Sequence, residues 1–401
     1  MPLSGPVRVL ALTGLVRAVA FGFLLTVSVL YGTQFIGLSA QQAGLSMTVA
    51  AACGALGGIP AGRAADAFGA RGTAVVLGVA QGCAGLFFVL ADTFAGFVLA
   101  ASLAVGCQSA SEAVRGALVA SLVEGEGRVR ARAFLHAVAN AGMSLGAVGG
   151  GVALESHSRT VLLAAFGTCG LLFALAGAGC ARLPPTPAVP RPARLPASGM
   201  LKDAPFVLFT VLNVLLVMND GLLTVVLPLW IAERTDAPLG VYSAILVLNT
   251  ACVVLFQVRA SRGTARLAGG VRALRRSGLL LAACCVLFLA ASGRPAGWAV
   301  VLLLAGALVH AVGELVYSAG SWSMAFALAP DHAQGQYQGV FTTSIHLGGM
   351  VAPVLGTALI LGVNEQVGWL VFALLFATAG LLAPVVSRLA ARGSVSAPSP
   401  L

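Results

Sequence analysis

The hydrophobic positions of this chain do not alternate with polar ones at the spacing of a soluble helix or strand; they run on. Twelve stretches are almost wholly apolar: 9–31, 40–61, 73–91, 94–122, 133–154, 160–181, 204–232, 239–258, 277–292, 297–328, 338–362 and 366–387. A helix needs about 20 mostly apolar residues to cross the hydrocarbon core of a bilayer. A run that is apolar all round has no face to offer water. The pattern predicts an all-α membrane protein with twelve transmembrane helices. The first run follows Arg8 and imitates a signal peptide, but it is too long and lacks a small-residue cleavage site. It is read as the first span.

One long polar break, 182–203, interrupts the series. It carries Pro184, Pro185, Pro187, Pro190, Pro192 and Pro196 with Arg182, Arg191, Arg194 and Lys202. Such a composition makes an extended linker. The expected organisation is an N-terminal six-helix bundle (1–181), a cytoplasmic linker (182–203) and a C-terminal six-helix bundle with a short cytoplasmic tail (204–401). At an offset of 206, Leu122 matches Leu328, Gly142 matches Gly348, Val148 matches Val354 and Gly150 matches Gly356. The two bundles therefore read as pseudo-symmetric halves, a known transporter plan.

Composition agrees. Of 401 residues, 59% are hydrophobic and 9% charged, with a mean hydropathy of +0.97. A soluble domain carries roughly 25% charged residues, and disorder requires low hydrophobicity. The net charge of +10 is no nucleic-acid signal, because the basic residues form short clusters between apolar runs without interleaved aromatics. Lys and Arg instead set topology. With the N-terminus inside, eighteen of the 23 basic residues fall on the cytoplasmic side, while the outer loops hold Arg159, Arg234 and Arg294. Both termini are expected in the cytoplasm, with the chain multi-pass in the cell inner membrane. All eight Cys lie in apolar runs and read as small buried hydrophobes rather than a disulfide framework. No phosphate-loop lysine motif, CxxC or H-E-x-x-H occurs. No cofactor, metal site or enzymatic activity is expected.

Between the second and third runs the chain reads Gly62-Arg63-Ala64-Ala65-Asp66-Ala67-Phe68-Gly69-Ala70-Arg71. This is expected to be a tight turn in which Gly62 and Gly69 allow close backbone approach. Asp66 suits the N-terminus of the following span, or can pair with Arg71 or a basic group elsewhere. In a twelve-span chain, G-x-x-x-D-x-x-G-x-R at this place resembles the signature loop of the major facilitator superfamily. The resemblance implies that the loop latches the two halves in one conformation, with Asp66 and Arg71 as gate residues. A second basic residue usual in the family is replaced by Gly72, and the C-terminal copy is reduced to the Arg run 259–276. The fifth run carries Gly142, Gly146, Ala147, Gly150 and Gly151, which is similar to the antiporter motif of the family's twelve-span drug:proton antiporters. Ala147 stands for the expected Pro, and Ser102 for the family's fourth-span Arg. Small residues at these spacings equally serve close helix packing.

Arg17, Glu112, Arg115, Asp220 and Glu314 lie well inside spans. Charges in lipid are costly and usually face a cavity or a partner. They occur in spans 1, 4, 7 and 10, the helices that the family resemblance places around a central cavity. At 1.5 Å per residue, Arg17, Glu112 and Arg115 lie roughly 10–15 Å above the inner ends of their spans and can meet, while Asp220 and Glu314 lie roughly 20–25 Å deep. Polar stripes at helical spacing accompany them: Gln108, Glu112 and Arg115; Asn213, Asp220 and Thr224; His310, Glu314, Tyr317 and Ser321. Asp220 and Glu314 have no evident cationic partner in their half, and an unpaired carboxyl in a poorly solvated site can carry a proton. Asp220, Glu314 and Glu112 are therefore proton-coupling candidates, and Arg17, Arg115 and His310 a cavity charge network. His346 is a further candidate for a proton relay. Phe21, Phe23, Trp230, Tyr242, Trp322 and Phe341 can line a substrate path or simply pack.

The expected activity is secondary active transport by alternating access: proton-coupled efflux of a small amphipathic or cationic organic compound by a monomer. A proton-coupled or facilitative importer of a small metabolite is the alternative. The expected partners are that small-molecule substrate, protons and the lipid bilayer, and no nucleic acid.

Overall fold

A computed structural model describes residues 5–156, 158–189 and 200–395. The expected linker residues Pro190, Arg191, Pro192, Arg194 and Pro196 lie outside the described residues. Every regular element among the described residues is helical.

Among the described residues, twelve helices are long and apolar enough to cross a membrane: spans 1 (Gly5–Gln34), 2 (Gln41–Phe68), 3 (Ala70–Leu90), 4 (Phe94–Leu122), 5 (Gly127–Glu155), 6 (Arg159–Arg182), 7 (Ala204–Arg234), 8 (Gly240–Ala260), 9 (Leu267–Ala290), 10 (Ala296–Leu328), 11 (Asp331–Val363) and 12 (Glu365–Arg392). Several outrun the apolar stretches that announce them. Span 5 begins six residues before 133 and takes in Arg128, Arg130 and Arg132; span 9 takes in Arg272, Arg275 and Arg276. A charge ends a hydropathic run without ending a helix, because Arg is a good helix former and the backbone bonds continue into the polar interface.

Many large apolar side chains face outward: Leu12 is 65% exposed, Leu56 74%, Val76 68%, Leu255 67% and Leu374 68%. In water so much exposed apolar surface would drive association; in a bilayer it is the solvated face.

The chain forms two compact units. Unit 1 comprises 1–124, 134–194 and 330–346; unit 2 comprises 125–133, 195–329 and 347–401. Unit 1 thus takes in the start of span 11, and unit 2 the start of span 5. Spans 2 and 4, 3 and 4, 3 and 6, and 1 and 6 pack together within unit 1. The same pairings recur six spans later within unit 2: 8 with 10, 9 with 10, 9 with 12, and 7 with 12. The internal repeat is visible here at single residues. A Cβ on Gly142 of span 5 would lie 2.8 Å from Ala18 Cβ of span 1, and Gly348 of span 11 sits as tightly on Val214 and Val217 of span 7. Gly150 meets Thr26, and Gly356 meets Val226.

Unit 1 is filled by Tyr31, Phe88, Phe97 and Phe166, stacked and edge-on with centroids 5.1 to 5.7 Å apart. In unit 2, Trp230 and Trp369 meet edge-on at 5.4 Å. Glu365, the first residue of span 12, joins three elements there: its Oε2 accepts from Trp230 Nε1 at 2.8 Å and its Oε1 from Ser292 Oγ at 2.6 Å. Replacing Glu365 by Ala leaves both donors short of an acceptor. A lost partner to a buried polar group costs about 1–3 kcal/mol, so thermal unfolding in detergent should show a clearly lowered midpoint for E365A, with E365Q between it and the parent.

Candidate functional site

The segment 62–71 is not one turn. Gly62 and Asp66 lie inside the helix of span 2, which runs to Phe68; the chain breaks at Gly69. Gly69 has φ +87°, and a Cβ there would strike the Thr186 carbonyl oxygen. Thr186 Oγ1 accepts from the Arg71 N–H at 2.9 Å, and the Val189 N–H donates to the Asp66 carbonyl at 2.8 Å. The first residues after span 6 are therefore strapped to this loop.

Asp66 does not cap span 3, and it forms no ion pair with Arg71. Its buried carboxylate caps span 11: the Gly335 N–H donates to Oδ1 at 2.8 Å and the Gln336 N–H to Oδ2 at 2.9 Å. The free N–H groups and dipole at a helix start favour an anion there. The approach depends on glycine. A Cβ on Gly58 would lie 2.7 Å from the Gly339 carbonyl oxygen, and one on Gly339 would lie 2.6 Å from that of Gly58; Gly62 and Gly335 are closer still. Two glycines four apart on each helix make a backbone-to-backbone seam.

The antiporter-like glycines form a second seam. Gly146 meets the Val19 carbonyl oxygen of span 1, and Gly22 of span 1 meets that of Met143. G146V would place a branched side chain against backbone. Overpacking costs about 1–3 kcal/mol, so G146V should lower the unfolding midpoint, whereas Gly151, with open space around it, should accept Ala freely.

The intramembrane charges of unit 1 meet through an intermediary. Arg17 Nη1 donates to Gln108 Oε1, which also accepts from Gln81 Nε2 at 2.9 Å, and Gln108 Nε2 donates to Glu112 Oε1 at 2.9 Å. Arg17 and Glu112 thus form no direct ion pair; Gln108 carries the contact. Arg115 Nη2 donates to the Leu10 carbonyl of span 1 at 2.9 Å. On the other flank of Glu112, His346 Nε2 of span 11 lies 3.8 Å from Oε2.

In unit 2, Glu314 Oε2 accepts from Asn249 Nδ2 of span 8 at 3.0 Å, with His310 Nδ1 at 3.9 Å. His310 Nε2 faces the Asn219 carbonyl at 3.3 Å. Tyr317 Oη donates to Asn213 Oδ1 at 2.9 Å, so the polar stripes of spans 7 and 10 do meet. Asp220 is exposed, and among the described residues no hydrogen bond or ion pair reaches its carboxylate. Span 7 widens into a π-helical turn two residues further on, Leu222–Val226, a feature that often marks functional sites. Tyr242 Oη of span 8 donates to the Thr224 carbonyl within that turn at 3.2 Å.

Two of the aromatic candidates belong to the core: Trp230 and Phe341 are fully buried. Trp322 lies beneath the Arg132 guanidinium, 3.7 Å from its centroid. Gln81 and Asn249, both central to these networks, escape a reading of the sequence that follows charge, since each is a neutral amide in an apolar run.

The model of the Major Facilitator Superfamily matches residues 10–353 and 209–398. A search of curated proteins returns no match. Among solved structures, the human organic anion transporter MFSD10 (TETRAN) is similar over 96% of this chain and 100% of its own, with a TM-score of 0.74 at 16% identity. The E. coli fucose:proton symporter FucP is similar over 95% and 98%, with a TM-score of 0.70 at 16% identity. A bacterial homologue of the iron transporter ferroportin, in an outward-facing state, covers 96% and 99% at 0.72 and 16%. At these identities the likeness speaks for the fold, and the family match over nearly the whole length goes further: this chain belongs to the Major Facilitator Superfamily.

Proposed function

We propose that this protein is a proton-coupled exporter of small cationic or amphipathic organic compounds, in the cytoplasmic membrane with its basic loops inside. Two bundles, 1–181 and 204–401, joined by the 182–203 linker, rock about a midplane site. The observation that carries this reading is the pair of carboxylates in unit 2. Among the described residues, no Lys or Arg is bonded to Asp220 or Glu314; Glu314 is held by Asn249 with His310 beside it. Carboxylates without a fixed cation can take a proton or a cationic substrate in turn, and that exclusivity is the basis of exchange. Asp66 on the start of span 11 serves as the cytoplasmic latch, released once per cycle.

The test uses inverted membrane vesicles acidified inside, with ethidium as a lipophilic-cation probe. Accumulation of ethidium with dissipation of the acid interior is the expected result; failure of ethidium and a panel of related cations to do either sinks the reading. The likeness to the fucose:proton symporter supports importing as the second reading. Under it, protons and a neutral metabolite enter together in right-side-out vesicles.

A further inference from the structure

His346 is in span 11, within the stretch 330–346 that belongs to unit 1. It lies fifteen residues from the Asp331 start of span 11, or about 22 Å along the helix, so it is near the membrane midplane. Its Nε2 is buried and has no hydrogen-bond partner among the described residues. The nearest acceptor is Glu112 Oε2 of span 4, at 3.8 Å. That is too long for a hydrogen bond and short enough to become one through a small side-chain rotation. Both side chains keep some contact with the exterior, at 21% and 31% exposure.

The neighbours leave this pair as a switch. Glu112 Oε1 is already engaged by Gln108, so Oε2 is the oxygen turned toward the imidazole. Behind Gln108 stands Arg17 of span 1, and Arg115 of span 4 is bound to the Leu10 carbonyl. Span 2 presents Gly54, whose added Cβ would lie 3.7 Å from His346 Nδ1, and span 3 contributes the neutral Gln81. Within unit 1, then, Glu112 and His346 face each other with Arg17 and Arg115 committed elsewhere.

We propose that His346 is a positioning residue for transport: when protonated it pairs with ionised Glu112 and holds the first half of span 11 against span 4, and loss of that proton releases this half. The idea rests on the reading of the chain as a proton-coupled transporter, and it gives that reading a mechanical step. The pair joins the same stretch of span 11 that Asp66 caps, so proton occupancy at the midplane would bear on the latch nearer the cytoplasm.

The experiment needs no substrate. The full chain in lipid nanodiscs is followed by amide hydrogen exchange of residues 334–346 across about pH 5 to 8, the interval over which histidine commonly changes charge, with span 12 peptides correcting for intrinsic rates. Protection should be greatest at the acid end and fall as pH rises. In H346N and in E112Q, both near-isosteric, the profile should become flat, while protection of span 3 stays unchanged. A flat profile in the parent chain, or a slope that survives either substitution, overturns the proposal. The ethidium assay reads proton coupling separately, so coupled transport with an unaltered profile in H346N condemns the pair and leaves the transport reading standing.

Discussion

Replacing Asp220 by Asn and Glu314 by Gln should reduce acid-driven ethidium accumulation to the level of vesicles lacking the protein. Each substitution keeps the size and polarity of the side chain and removes the one group able to carry a proton. Each variant should also fold normally. Asp220 is exposed and accepts no bond among the described residues, while Glu314 receives one from the Asn249 amide, which a Gln carbonyl can still accept. The proposed exchange uses both carboxylates, so each single variant should lose coupling by itself. The discriminating comparison is exchange without a pH gradient. A residue that only couples protons leaves substrate exchange intact, whereas a substrate contact does not. If D220N and E314Q both keep full acid-driven accumulation, proton coupling through these carboxylates is excluded.

The second large effect is expected at the seam between spans 2 and 11. D66A removes two charge-assisted bonds to the start of span 11, each worth about 1.5–3 kcal/mol when the partner is ionised. Since about 1.4 kcal/mol is a tenfold change in an equilibrium, losing even one should shift opening of this seam by a factor of ten or more. The Gly335 and Gln336 amides should lose protection from hydrogen exchange, with D66N intermediate because one amide oxygen remains as acceptor. G62L acts on the same contact by another route: its side chain would occupy the space of the Gly335 carbonyl. Both variants should expose the same stretch, 335–339, while the Gly142–Ala18 contact of spans 5 and 1 is undisturbed. If D66A leaves these amides as protected as in the parent, the carboxylate is not what holds span 11.

Much of this site was legible before any fold was known. Arg17, Glu112, Arg115, Asp220 and Glu314 announce themselves because an ionisable residue inside an apolar run is expensive in lipid wherever the helix ends up. The motif residues Gly62, Asp66 and Gly69 were likewise evident. Their partners were not. Asp66 was expected at the start of span 3, or paired with Arg71 or with a basic group on another helix; its carboxylate accepts from the backbone amides at 335 and 336, in span 11. Gln108 looked like one member of a stripe, and proves to be the link between Arg17, Gln81 and Glu112.

The division follows from the range of the forces. Transfer of apolar side chains into lipid and the cost of charge there are properties of each residue and its near neighbours, so they are summed along the chain: twelve spans, the polar break at 182–203 and the positions of the intramembrane charges need only the order of amino acids. Hydrogen bonds and close backbone packing act over about 3 Å and depend on which helices meet and in what rotation. Hence the capping of span 11 by Asp66, the facing glycines at 58, 62, 335 and 339, and the approach of His346 to Glu112 are decided by tertiary structure alone.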